Sequence, residues 1–228
     1  MRSLGPSDVH VFEVPVEPSC AEEARAGLSS EERAKADRFH FERDRLLYSV
    51  AHAALRRVLA PYAGCAPHEL RFEIDEHGRP FLTPRGELHF SLSHSGDRAL
   101  VAVARVQRVG VDVEVFRALQ DLDRLAERNY TPAELAELAP LEDDARVRAF
   151  FRVWTRKEAY VKALGRGLSH PLAAFDVSAG EEARFGAFRD GSERERWTLL
   201  DLPLDGERAG ALAVELPDPA VRRERFAL

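Results

Sequence analysis

The sequence predicts an α+β fold made of two similar halves, and three observations carry that expectation. Short runs alternate apolar and polar residues with a period of two, as strands do; VGVDVEV (109–115) is the clearest. Two long stretches, one opening at Ser29 or Ser30 and one covering 144–164, carry helical periodicity instead. The order strand, helices, three strands then occurs twice. That divides the chain into an N-terminal half, 1–105, and a C-terminal half, 106–228. The duplication rests on element order, since no residue-by-residue repeat accompanies it.

HVFEVPV (10–16) reads as the first strand. SSEERAKADRFHFERDRLLYSVAHAALRRVLAPY follows as one helical region, with Ser29 or Ser30 as N-cap and Pro61 and Gly64 at its end. LRFEI (70–74), ELHFSL (87–92) and ALVAVA (99–104) are strands separated by EHGRP and SHSGD turns. VGVDVEV opens the second half. DLDRLAERN and TPAELAEL are short helices, the latter with Thr131 as N-cap and Pro132 in its first position. DARVRAFFRVWTRKEAYVKAL is a long helix closed by Gly165, and AFDVSA, RWTLLDL and AGALAVEL are three more strands. No low-complexity linker separates the halves, so they are expected to pack as one unit.

The 228 residues suffice for one large domain or two small ones. An apolar content of 45% is that of a soluble globular protein, and a net charge of −6 argues against a broadly basic nucleic-acid surface. MRSLGPSDVHVFEVP lacks the apolar core of a signal peptide, and no later stretch has the length to span a bilayer. Cys20 and Cys65 lack metal-binding or redox spacing. A cytoplasmic, monomeric protein with ordinary thiols is expected.

Alternation places Asp112 and Glu114 on one face of the 109–115 strand and the valines on the other. A solvated acidic face is the plain interpretation. The sharper one is a site for a hard cation such as Mg²⁺, because neighbouring like charges are costly without a positive charge between them. In the 144–164 helix the apolar stripe runs through Val147, Phe151, Trp154, Val161 and Leu164. Glu158 lies on or beside that stripe, where an isolated carboxylate is costly. It could pair with Lys162 at the favourable i,i+4 spacing. Yet of 33 basic residues only Lys35, Lys157 and Lys162 are lysines, and two of them flank this carboxylate. Lysine beside metal-binding carboxylates suits a polyphosphate that brings its own Mg²⁺.

VGVDVE (109–114) followed some forty residues later by WTRKEAYVK (154–162) resembles the paired signature of the 4′-phosphopantetheinyl transferases, in their double-length, surfactin-synthetase-activating form. GRP (78–80), FSLSHSG (90–96) and GRGL (165–168) add to the resemblance, which spans about residues 28–170. It implies two α+β halves related by pseudo-twofold symmetry with coenzyme A between them. It also implies transfer of the phosphopantetheine arm to a serine of an apo carrier protein, with release of adenosine 3′,5′-bisphosphate. The carrier, whether of fatty-acid, polyketide or peptide synthesis, is left open.

Matched residue by residue, Asp112, Glu114 and Glu158 resemble the acidic Mg²⁺ set, Glu114 acting partly through water in some relatives. Lys157 and Lys162 would face the phosphates. Ser93 and His94 would lie beside the coenzyme's phosphates, with His94 on the 3′-phosphate. Arg79 stands where relatives carry lysine in the G-x-P turn, and Lys35 matches a basic position of the first helical region. Glu32 falls where some relatives have a second basic residue. The other histidines, His52 among them, are expected in solvated or core roles, and Phe81, Tyr48 and Ser91 as bystanders or minor contacts. The acceptor serine needs a base. Glu158 and Glu134 are both candidates, Glu158 preferred, since Glu134 could equally be the capping-box glutamate of the Thr131 helix. Two rivals remain at this level: a Mg²⁺-dependent phosphohydrolase of coenzyme A, and a non-catalytic scaffold of the same family.

Overall fold

The computed structural model describes residues 2–84, 86–167 and 170–228. In chain order it contains β1 (Asp8–Pro15), α1 (Ala21–Gly27), α2 (Ser30–Ala36), α3 (Glu42–Ala63), β2 (Arg71–Ile74), β3 (Pro80–Thr83), β4 (His89–Ser95) and β5 (Arg98–Ala104). The second half continues with β6 (Val109–Val115), α4 (Leu122–Asn129), α5 (Pro132–Leu138), α6 (Asp143–Leu164), β7 (Phe175–Val177), β8 (Phe185–Phe188), β9 (Thr198–Asp201), β10 (Arg208–Val214) and β11 (Ala220–Arg225).

The strands form two principal sheets, ordered β11-β1-β5-β4 and β6-β10-β9, and two hairpins, β2-β3 and β7-β8. Within the sheets β1-β5-β4 and β6-β10-β9 have the same order and the same antiparallel pairing. The long helices match as well. Both α3 and α6 have 22 residues, starting at 42 and 143, and both stop at a left-handed glycine, Gly64 (φ 69°) and Gly165 (φ 70°). Glycine adopts that conformation without the Cβ clash that other residues meet. β11 breaks the symmetry: it leaves the second half and pairs parallel with β1, from Asp8↔Ala220 to Glu13↔Arg225.

Side-chain alternation decides how the sheets stack. Val9, Val11, Leu100 and Ala102 of the first sheet meet Val109, Val111, Val113 and Leu212 of the second in one core. The opposite faces take the helices. Phe12, Val101 and Val103 pack with Leu55, Val58 and Leu59 of α3, while Ala209, Ala211 and Ala213 pack with α6. The layers therefore run helix, sheet, sheet, helix. Along α6 the positions 149–151, 153, 155–161 and 163 are all buried, so this helix is enclosed on nearly every side rather than on the single expected stripe. Gly110 explains how close α6 comes to its sheet. A Cβ there would lie 2.1 Å from the Ala159 carbonyl oxygen, so any side chain would push the helix off β6.

The expected continuous helix from 30 to 62 is two helices, with Ser29 the N-cap of the first. No glycine or proline at 37–41 announces the break. Arg25 of α1 grips Asp37 with two bonds, 2.6 and 3.1 Å, and α3 starts afresh at Glu42. β3, β8 and β11 had no counterpart among the expected strands.

Candidate active site

β6 and α6 build the centre of the site. Gly110, Asp112 and Glu114 lie on the face of β6 turned toward α6, which is why Asp112 is only 4% exposed and not on a solvated face. Asp112 Oδ1 accepts from Ser93 Oγ and from Lys162 Nζ, each at 2.7 Å, and the same ammonium donates to Ser93 Oγ at 2.8 Å. Lys162 thus reaches across to the other half of the molecule. Asp112 Oδ2 and Glu158 Oε1 are buried without a hydrogen-bond partner. Desolvation, then the charge of Asp112, pushes the Glu158 carboxyl up to about 7; Glu114 adds to this and Lys162 opposes it. Glu114 is less enclosed, its Oε2 accepting from Ser95 Oγ at 2.9 Å and Arg117 Nη1 at 3.1 Å.

β4 and β6 meet along a seam stitched by serines. The hydroxyls of Ser91, Ser93 and Ser95 accept from the backbone N–H groups of Val111, Val113 and Val115, at 3.1, 3.4 and 3.3 Å. Ser93 and Ser95 then donate their own protons to Asp112 and Glu114. A hydroxyl can accept and donate at once, so each of these two serines both joins the halves and aims a carboxylate. The i, i+2, i+4 spacing of serine in FSLSHSG was the sequence signal for this.

A cationic recess adjoins the centre. His94 is exposed on β4, yet protein surrounds it. Desolvation, then the positive fields of His52, Lys162 and Lys35, pull its pKa down, so the ring is neutral at pH 7. Exposed Lys35 sits 5.3 Å from the centroid of the Tyr48 ring, and His52 stacks on that ring at 4.1 Å.

Two family models divide the chain between them. The model described as "4'-phosphopantetheinyl transferase superfamily" matches residues 108–213, and that described as "4'-phosphopantetheinyl transferase, N-terminal" matches 17–106. The chain is 35% identical over 214 residues to the 4′-phosphopantetheinyl transferase HetI of Nostoc sp., covering 91% of this chain and 87% of the relative. This chain belongs to the 4′-phosphopantetheinyl transferase superfamily. A 4′-phosphopantetheinyl transferase of Bacillus subtilis is 32% identical over 161 residues, 70% of each chain. The L-aminoadipate-semialdehyde dehydrogenase-phosphopantetheinyl transferase of Xenopus laevis is 28% identical over 205 residues, 82% of this chain and 68% of its own.

Within this transferase the structure brings Asp112, Ser93, Glu158 and Lys162 together, with Glu114 at the edge and His94 and Lys35 in the neighbouring recess. It gives three expected residues partners within the protein. Lys157 is fully buried on the far side of α6, its ammonium bound to Glu134 Oε1 at 2.8 Å and to the carbonyls of Leu172 and Phe175 at 2.6 and 2.8 Å. It cannot face a substrate phosphate from there. Glu134, 1% exposed, also accepts from the N–H groups of Thr131 and Val177, both at 2.8 Å, so both of its oxygens are already engaged inside the protein. It is the capping-box glutamate of α5. Arg79 spans the halves, donating to the carbonyls of Gln107 at 2.7 Å and Ala163 at 3.3 Å, with its stem against Gly165. Leu168 of the GRGL stretch lies outside the described residues.

Among the described residues no group of three or more His, Cys, Asp or Glu side chains is arranged as a complete metal cage. The two orphaned carboxylate oxygens nevertheless suit a Mg²⁺ ion, which typically takes one or two carboxylates and completes its shell with water and substrate phosphate.

Proposed function

We propose that this transferase moves the 4′-phosphopantetheine arm of coenzyme A onto a serine hydroxyl of an apo carrier protein, with Mg²⁺ held by Asp112 and Glu158 and, more loosely, Glu114. The observation that carries the reading is the buried Asp112–Ser93–Lys162 contact beside Glu158, with one oxygen of each carboxylate lacking a donor. Buried anionic oxygens without a partner are costly, and a bound cation removes that cost. When bound, Mg²⁺ supplies charge neutralisation on the pyrophosphate of the donor.

The chain's own residues do the rest. Lys162, fixed by Asp112 and Ser93, directs its ammonium to the phosphate under attack. The serine oxygen of the carrier forms a bond to the phosphorus that bears the pantetheine arm. The bond from that phosphorus to the bridging oxygen breaks, and adenosine 3′,5′-bisphosphate leaves with the electron pair. The serine proton passes to Glu158, the carboxylate beside the reacting groups. Ser93, His94 and Lys35 hold the donor's phosphates. The enzyme is proposed to act as a cytoplasmic monomer.

The test is to incubate the protein with coenzyme A, Mg²⁺ and several apo carriers and to weigh the carriers intact. A mass gain of one phosphopantetheine supports the reading. Coenzyme A cleaved equally without carrier would favour a phosphohydrolase, and coenzyme A bound but never consumed would favour a scaffold.

A further inference from the structure

We propose that His52 is a donor-binding residue of this enzyme, joining Lys35 and His94 to bind the 3′-phosphate of coenzyme A. The inference rests on the transferase reading, because it takes coenzyme A as the donor. That molecule carries two separate anionic groups, a pyrophosphate and a phosphomonoester. Lys162 is tied to the acidic centre through Asp112 and Ser93 and so belongs with the pyrophosphate. The second group needs its own cations.

Lys35, His52 and His94 come from three elements, α2, α3 and β4, and converge on one recess. The Tyr48 ring is its wall, with the Lys35 ammonium 5.3 Å from the centroid and the His52 ring 4.1 Å away at 31°. Among the described residues Lys35 has no carboxylate within 4 Å, so its charge is available to a ligand. His52 keeps 23% of its side chain exposed, and its Nδ1 is 3.7 Å from Glu32 Oε1. That leaves Nε2 as the nitrogen to meet a ligand. Glu32 does not oppose an anion as a bare charge. Its Oε2 is held by Arg56 Nε at 2.7 Å and by the Ser29 N–H at 2.8 Å. A carboxylate stands where some relatives carry a base, and here it supports a histidine that supplies the base.

The groups facing His52 are Glu32 and Lys35 from α2, Tyr48 and Arg56 from α3 and His94 from β4, with Lys162 of α6 beyond His94.

Calorimetric titration of the full chain with both donors at pH 6 tests this, using wild type, His52→Ala and His52→Lys. His52→Ala should bind coenzyme A about tenfold more weakly and dephospho-coenzyme A unchanged, as expected for loss of one charge-assisted phosphate contact. His52→Lys should retain coenzyme A binding. If His52→Ala weakens both donors equally, or neither, His52 serves only to pack Tyr48 and the inference falls while the transferase reading stands. If wild type binds neither donor, both fall together.

Discussion

Arg56 on α3 and Lys157 on α6 hold matching places in the two halves. The positions are 14 residues into helices of equal length. Each cation binds a capping-box glutamate of a preceding short helix, Glu32 of α2 for Arg56 and Glu134 of α5 for Lys157. Each also donates to two backbone carbonyls before or at the start of the next strand, Pro67 and Leu70 for one, Leu172 and Phe175 for the other. Each lies over a phenylalanine, Phe72 at 5.1 Å and Phe175 at 4.5 Å. The acidic site has no such twin. Where β6 turns Gly110, Asp112 and Glu114 toward its helix, β1 presents His10, Phe12 and Val14 to α3. The helix positions matching Glu158 and Lys162 are Arg57 and Pro61. What both halves share is architecture, and what only one carries is chemistry.

Breaking the shared feature should give the largest effect. Lys157→Met leaves Glu134 buried without its cation, and removing one partner of a buried pair costs about 3–5 kcal/mol. Denaturant melts should show that loss, with Glu134→Gln added in the same chain recovering part of it. Arg56→Met should destabilise in the same direction. Turnover per folded molecule should stay near wild type for Lys157→Met, and a folded but inactive variant would return Lys157 to the catalytic site.

Lys162 should behave in the opposite way. Its side chain is 32% exposed and its partners are the groups of the site, so Lys162→Ala should melt closer to wild type than Lys157→Met does. Loss of a cation that meets charge developing in the transition state should cost about 10²-fold or more in kcat. An Arg replacement distinguishes a compact ammonium from mere charge: partial activity fits the former. A Lys162→Ala enzyme at full rate would leave the lysine with a structural role only.

The contrast between the two lysines measures what sequence can convey. Their identity and rarity were visible, and so was the WTRKEAYVK spacing that places them five residues apart on one helix. Five residues on an α-helix are about 500° of rotation, so the two side chains point well apart. Choosing which one meets the site requires knowing that α6 is buried all round, and no single-face periodicity announces that. Most of the strands followed from alternation and turns, although β3 and β8 did not. The parallel return of β11 to β1 did not, because AVRRER has charged residues on both faces and reads as a surface segment. Asp112 against Glu134 makes the same point for acids: both stand in motif-like contexts, and only tertiary partners separate the orphaned oxygen from the satisfied one.

Glu158 offers a third, smaller test. Its folded pKa of about 7 lies above the usual glutamate value of 4.5. The stability it contributes is therefore present below pH 4.5 and is lost as pH rises through 7. Without divalent cations, Glu158→Gln should be more stable than wild type at pH 8 by about 3 kcal/mol and indistinguishable from it near pH 4. Mg²⁺ should then raise the wild-type melting temperature at pH 8 and leave that of Glu158→Gln nearly unchanged. A wild type whose melting ignores Mg²⁺, and whose transfer survives chelation, would remove the metal from the site.

Ser95 gives the smallest effect and bears most directly on how the halves cooperate. Its hydroxyl accepts from the Val115 N–H at 3.3 Å and donates to Glu114 Oε2 at 2.9 Å, so it belongs to the seam and to the acidic face at once. Ser95→Ala removes both bonds, a cost on the order of 1 kcal/mol in stability, because water can reach the half-buried edge and replace them. Ser91 has only the seam bond among these roles, its hydroxyl accepting from Val111. Ser91→Ala should therefore lower the melting temperature without altering the concentration of Mg²⁺ needed for half-maximal transfer. Ser95→Ala should do both, raising that concentration a few-fold as Glu114 loses its aim. Identical metal dependence in the two variants would mean that the serine seam joins the halves and does nothing to orient the carboxylate beside it.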